Sequence, residues 1–406
     1  MTENGKPAGT SPLPWREWFG LAGAEPYRIL FPLGILLGAL GVAVWPLFFF
    51  WGVAWAPPPV SHPRIMIEGF VGSFVVGFLG TSLPRLLEVR RLSIRETGGV
   101  AAALSAVGLL HFLGLAGWGD SLFGSTILFF LWRLASRFPR RTDNPPPSFL
   151  LGLFGILGAA GGALLQAIEE MGLALPGELR RLSLLLLYQG LPLLPILGVG
   201  AFILPRFYGL PSRESLPESR TPTRGWIGRA SAALFAALAL LVSFVWEAAG
   251  GMLGGGVLRA GTIVAYLLFA IPIRPELLSK GTVAGCARWV LLLSVLGLLL
   301  GGFSLPLRVT WLHLFFLGGA GLLILTVGAR VILGFSGRGE LLDNRFGPLS
   351  QAKWWILGAI LLRVAADLVP VQRGLLLSEA SLLWLGALLL WGWPVLPKVR
   401  CPDVED

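Results

Sequence analysis

The sequence predicts an all-α membrane protein, about twelve transmembrane helices in one bundle, and three observations predict it. Hydrophobic residues make up 55% of the 406-residue chain and charged residues only 13%, where a soluble domain carries about 25% charge. Apolar runs of roughly 20 residues, the length that crosses a bilayer as a helix, recur from one end to the other. Basic residues cluster between alternate runs, and that asymmetry orients membrane helices. The spans are helices because a lone strand would leave backbone groups unpaired in lipid.

The runs place spans at 29–54, 65–84, 98–117, 121–138, 149–168, 183–205, 228–249, 254–273, 283–302, 308–335, 353–371 and 375–397. Residues 1–27 then form an N-terminal segment, 28–398 the transmembrane domain and 399–406 a tail. Clusters such as Arg85/Arg90/Arg91/Arg95, Arg137/Arg140/Arg141 and Arg206/Arg213/Arg220/Arg224/Arg229 follow the even-numbered spans. By the positive-inside rule, both termini and these loops are expected in the cytoplasm. A weak repeat is also expected. Span 2 ends Leu83-Pro84-Arg85, span 6 ends Leu204-Pro205-Arg206, and span 10 carries Ala329-Arg330, which suggests three four-helix repeats.

Several function classes fall away. The net charge of +10 reflects cytoplasmic arginines, so nucleic acid is not an expected partner; the lipid bilayer is. Residues 1–27 lack the pattern of a cleaved signal peptide. Cys286 and Cys401 are isolated and make no metal motif. P-loop, nucleophile-elbow, His-Glu-x-x-His and Cys-x-x-Cys patterns are missing, and no catalytic residue is expected.

Ionisable groups inside spans are costly and point to function. The predicted topology places His62 and Glu68 at the outer end of span 2, His111 near the outer end of span 3, and His313 in the first turns of span 10. Glu247 closes span 7 on that side, and Arg363 and Asp367 form an i,i+4 pair in the outer half of span 11. All three histidines of the chain thus gather at one face. Neutral imidazole is a common axial ligand of haem iron, and Met66, at i+4 from His62, could add a thioether. The competing reading is an interfacial histidine, a structural Arg363–Asp367 pair and a packing methionine. Trp15, Trp45, Trp51, Trp55, Trp118, Trp311 and Trp393 read as an interface belt. Gly69, Gly72, Gly77 and Gly80 permit close packing around span 2, which marks it as central.

These residues resemble a family. The segment His62-Pro63-Arg64-Ile65-Met66-Ile67-Glu68-Gly69-Phe70 is similar to the His-Ala-His-Glu-Met-Leu-Phe-Gly-Phe pattern of the NnrS family, twelve-span bacterial membrane proteins linked to nitric oxide stress. The segment from His313 through Gly318-Gly319-Ala320-Gly321 to Ala329-Arg330-Val331-Ile332-Leu333-Gly334 resembles the family's tenth span. Gly200-Ala201-Phe202-Ile203-Leu204-Pro205-Arg206-Phe207 resembles the end of its sixth.

The resemblance implies haem and copper, but Arg64, Ile65 and Phe335 stand where the family pattern has plausible ligands, so copper is not expected here. His62 and His313 remain. Their layout is similar to the axial histidines on spans 2 and 10 of haem–copper oxidase core subunits, an analogy of layout alone.

The expected function is therefore haem binding through His62 and His313, with His111, Arg64, Met66 and Glu68 lining the site. The expected role is in the response to nitric oxide or nitrosative stress, by binding a small molecule rather than by turnover. Two alternatives stand beside it: a secondary transporter using Glu68, Glu247, Arg363 and Asp367, and a membrane scaffold without a working site.

Overall fold

The computed structural model describes residues 12–272, 281–343 and 346–404. Residues 1–11 of the expected N-terminal segment, 273–280 from the last residue of the expected eighth span onward, 344–345 and the last two residues of the expected tail lie outside these. The described residues form helices and no strand. Twelve are long: α1 (Tyr27–Trp51), α2 (Pro58–Leu86), α3 (Ile94–Phe112), α4 (Ala116–Ala135), α5 (Phe149–Glu170), α6 (Gly177–Phe207), α7 (Arg224–Ala248), α8 (Met252–Ala270), α9 (Thr282–Phe303), α10 (Arg308–Phe335), α11 (Gly347–Leu368) and α12 (Arg373–Val395). Nine of the described helices are long and apolar enough to cross a membrane. The other three, α3, α4 and α11, occupy predicted spans but carry more polar residues.

Burial ranks the helices. In their most apolar stretches α2 is 78% buried and α6 and α10 are each 67% buried, against 33–56% for the other six candidate spans. These three form the centre, with α6 touching both α2 and α10. Each is interrupted near its start by a wide π-helical turn: Ile65–Val71, Leu186–Gly190 and Leu314–Gly321. A π turn appears where the ordinary ladder is disturbed, and such turns concentrate at functional sites. In α6 the disturbance is Pro192, whose ring would strike the carbonyl one turn back in an ordinary helix. In α10 it is the glycine-rich run Gly318–Gly321, which holds a helix weakly.

The basic clusters meet at the end of the bundle where α2, α4 and α6 finish. Arg137 Nε donates to the Arg90 carbonyl at 3.0 Å, and Arg220 Nη2 to the Pro139 carbonyl at 3.2 Å. The same end is closed by the first and last described segments. A helix at Trp15–Ala24 packs on α3, with Gly23 against Ile94. Buried Arg28 pairs with buried Glu25 at 2.5 Å and donates to the Val399 and Cys401 carbonyls at 2.7 Å each. Arg85 bridges Glu25 to Asp403. The tail is thus part of the fold.

Of the expected tryptophan belt, Trp15, Trp51, Trp55, Trp118 and Trp393 are exposed on the bundle surface. Trp45 departs from that expectation. It faces an internal cavity, its ring 5.9 Å from that of His62.

Candidate functional site

The starts of α2, α6 and α10 and the corner between α11 and α12 surround a cavity of about 960 Å³, large enough for a cofactor-sized ligand. All three π turns contribute to its wall, through Met66 and Phe70, Tyr188 and Gln189, and Phe316 and Ala320. The widened turns set these side chains off the ordinary helical register, so the feature that costs each helix a regular hydrogen bond also shapes the cavity. Trp45, Phe70, Phe316 and Trp384 give it broad aromatic walls.

His62 and His313 both line this cavity. The His62 Nδ1 lies 2.8 Å from the Gly41 carbonyl, and the His313 Nδ1 lies 2.6 Å from the Val309 carbonyl. A carbonyl only accepts, so each Nδ1 is the protonated nitrogen and each Nε2 keeps its lone pair. Neither Nε2 hydrogen-bonds to another described residue. Two oriented neutral imidazoles on the wall of one cavity could both ligate a metal ion there, the carbonyls fixing ring tautomer and direction. Met66 also lines the cavity, with its sulfur packed against Gly41 of α1.

The cavity wall carries paired charge. Asp367 accepts from Arg363 Nη1 at 2.7 Å and from the Thr310 hydroxyl, and pairs with Arg373 Nε at 3.2 Å. Glu247 is held by Arg259 at 2.6 Å and by Arg308, while Arg259 also donates to Gln189 at 2.6 Å. Glu247, Arg363 and Asp367, singled out in the sequence, therefore do border the cavity, each inside an ion pair.

His111 and Glu68 lie elsewhere. The His111 Nε2 is 2.8 Å from Glu68 Oε2 and 3.7 Å from Asp120 Oδ1, and all three side chains are fully buried between α2, α3 and α4. Arg64 Nε donates to both Asp120 oxygens at 3.1 and 3.2 Å, and its Nη2 donates to Glu170 at 2.8 Å. Arg64, Glu68 and His111 thus form a second group with Asp120 and Glu170, separate from the lining of the cavity. Gly119 makes room for it. A Cβ there would lie 2.4 Å from the His111 ring.

Sequence reasoning missed Asp120 and Glu170 because each stands just beyond a predicted span and was counted with a loop. It missed Tyr188 because a phenol among leucines looks like core. Arg308 and Arg373, just outside or at the edge of predicted spans, also line the cavity. Phe335, which replaces a family histidine, is far from the cavity: it stacks on Tyr27 and under Arg85 at the opposite end.

A protein-family model described as "NnrS protein" matches residues 23–402, nearly the whole chain. No curated protein matches it.

Proposed function

Because the chain belongs to the NnrS family, we propose that its cavity binds haem between His62 and His313 and serves the response to nitric oxide. The observation that carries this reading is the matched pair of imidazoles, each with Nδ1 bound to a carbonyl and Nε2 free, on one cavity wall. The residues fit the group. Aromatic walls suit a flat macrocycle, and the N–H groups of Arg363 and Arg373 not spent on Asp367 suit its carboxylates. When bound, haem would supply an iron able to exchange one electron or to bind a small diatomic molecule. The protein's own part is orientation and exclusion of water. The role is binding rather than turnover. In this reading all twelve long helices span the inner membrane as three four-helix repeats, both termini are cytoplasmic, and the cavity sits toward the outer face. Copper is not part of it, since Arg64 sets a fixed positive charge against the other carboxylate–imidazole group.

The test is haem content. Protein purified after expression with ample haem should carry about one haem per chain, and His62→Ala or His313→Ala should lose it. His111→Ala should retain it, because His111 is not in the cavity wall. Equal haem in all four proteins would sink the proposal.

One observation favours a second reading. Arg363, Asp367 and Glu247 border the cavity, as coupling residues of a secondary transporter would. Uptake of a small solute into proteoliposomes, abolished by Asp367→Asn with haem content unchanged, would select it.

A further inference from the structure

The group on α2, α3 and α4 has an electrostatic imbalance that its geometry resolves. Arg64 contributes one positive charge, and Glu68 and Asp120 contribute two carboxyls, all three buried. Glu170 is the fourth charged member, and 42% of its side chain is exposed, so water serves it. An uncompensated buried charge is expensive in a protein and more so within a bilayer. The buried trio is neutral only when one carboxyl keeps a proton. The geometry says the same. One Glu68 oxygen and one Asp120 oxygen lie within 4.8 Å of each other, where two carboxylates would repel and a retained proton removes one of the two charges. Glu68 Oε1 has no hydrogen-bond partner among the described residues, and neither does His111 Nδ1.

We propose that Glu68, His111 and Asp120 form a buried proton-binding site, with one proton shared by the two carboxyls and a second acceptor in the free His111 Nδ1. In the resting state His111 donates Nε2–H to Glu68 Oε2, and the retained proton is held by the Glu68–Asp120 carboxyl pair. A further proton entering the site goes to His111 Nδ1, giving an imidazolium beside Asp120 and Glu68. Arg64 and Glu170 mark the solvent side. Tyr188 marks the cavity side: it lines the cavity and stands within electrostatic reach of Arg64, Glu68 and Asp120. The charged groups facing the site are then Arg64 and Glu68 on α2, His111 on α3, Asp120 on α4, Glu170 on α5 and Tyr188 on α6. Neighbouring Glu169 is occupied by Arg180 at 3.2 Å. The three ligand-type atoms lie within 4.8 Å of one another, close enough to hold a metal ion. A proton is favoured over a cation because the Arg64 guanidinium already faces Asp120 at 3.1 Å. The site is placed to take up a proton when an event in the cavity changes its charge.

Infrared spectroscopy tests this without reference to haem, so its outcome is independent of the reading of the cavity. At neutral pH the protein in detergent should show the carbonyl stretch of one protonated, buried carboxylic acid, shifted in D₂O. Glu68→Gln and Asp120→Asn should each abolish the band, because the surviving carboxylate then pairs with Arg64 alone. Arg64→Met should raise its intensity about twofold, since both carboxyls then need protons; Arg64→Lys, which keeps the charge, should leave it unchanged. Monodisperse elution and unfolding temperature identify any variant that fails to fold, and the conservative Arg64→Lys keeps the test decisive in that event. A band that survives both carboxyl substitutions overturns the proposal. So does a metal ion present at one per wild-type chain and lost from both variants.

Discussion

At the scale of single residues, the account turns on which side chains have room and which have partners. Gly119 is one such place. Gly119→Ala puts a methyl group 2.4 Å from the His111 ring and should destabilise the protein by about 1–3 kcal/mol through overpacking. Gly99→Ala, on neighbouring α3 but with nothing within 4 Å, should be neutral or stabilising by up to about 1 kcal/mol because alanine is the better helix former. Thermal unfolding of the two variants in detergent checks the contrast, and equal effects would contradict it. The histidines were legible in the sequence because the chain has so few. Their partners were not. Nothing in the sequence said that His62 would meet the carbonyl of Gly41, or that His111 would turn toward Glu68 and Asp120, because those contacts are made between helices.

At the scale of the helix, the π turns of α2, α6 and α10 link sequence to site. The sequence showed the glycines and prolines that weaken these helices and the similar Leu-Pro-Arg endings of two of them. It could not show that the weakness is taken up as a widened turn facing a common cavity. Reading α3, α4 and α11 as equals of the other spans overlooked their higher polarity, part of which pairs inside the bundle: His111 and Asp120 with each other's neighbours, Arg363 with Asp367. The short helix and tail at the basic end give a second prediction at this scale. Arg28 is 1% exposed and holds Glu25 and two tail carbonyls. Arg28→Met leaves Glu25 to Arg85 and Arg91 and two tail carbonyls without their donor, and should cost about 3 kcal/mol, seen as a lowered unfolding temperature and earlier proteolysis of the tail. An unchanged unfolding temperature would show that the tail is not part of the stable fold.

At the scale of the molecule, the bundle is polarised. Arginine clusters and the first and last described residues gather at one end, while the cavity and the Glu68–His111–Asp120 group lie toward the other. If all twelve long helices cross the bilayer, a cysteine at Thr221 should react with a membrane-impermeant thiol reagent only from the cytoplasmic side. One at Leu173, exposed in the loop after α5, should react only from outside. The native Cys286 and Cys401 are buried and should contribute little background. Labelling of both positions from one side would reverse or break the topology. The span pattern and the polarity of charge were readable from composition and periodicity, which report helix length and loop charge directly. The cavity was not, since it exists only once α6 is packed between α2 and α10.

The central claim is that His62 and His313 hold one iron between them. The measurement closest to it is the reduced-minus-oxidised absorption spectrum of the purified wild-type protein beside His62→Ala and His313→Ala. The account predicts the sharp bands of a low-spin haem with two histidine ligands, lost or converted to a high-spin form when either histidine is removed. A featureless wild-type spectrum, or one untouched by both substitutions, would contradict it.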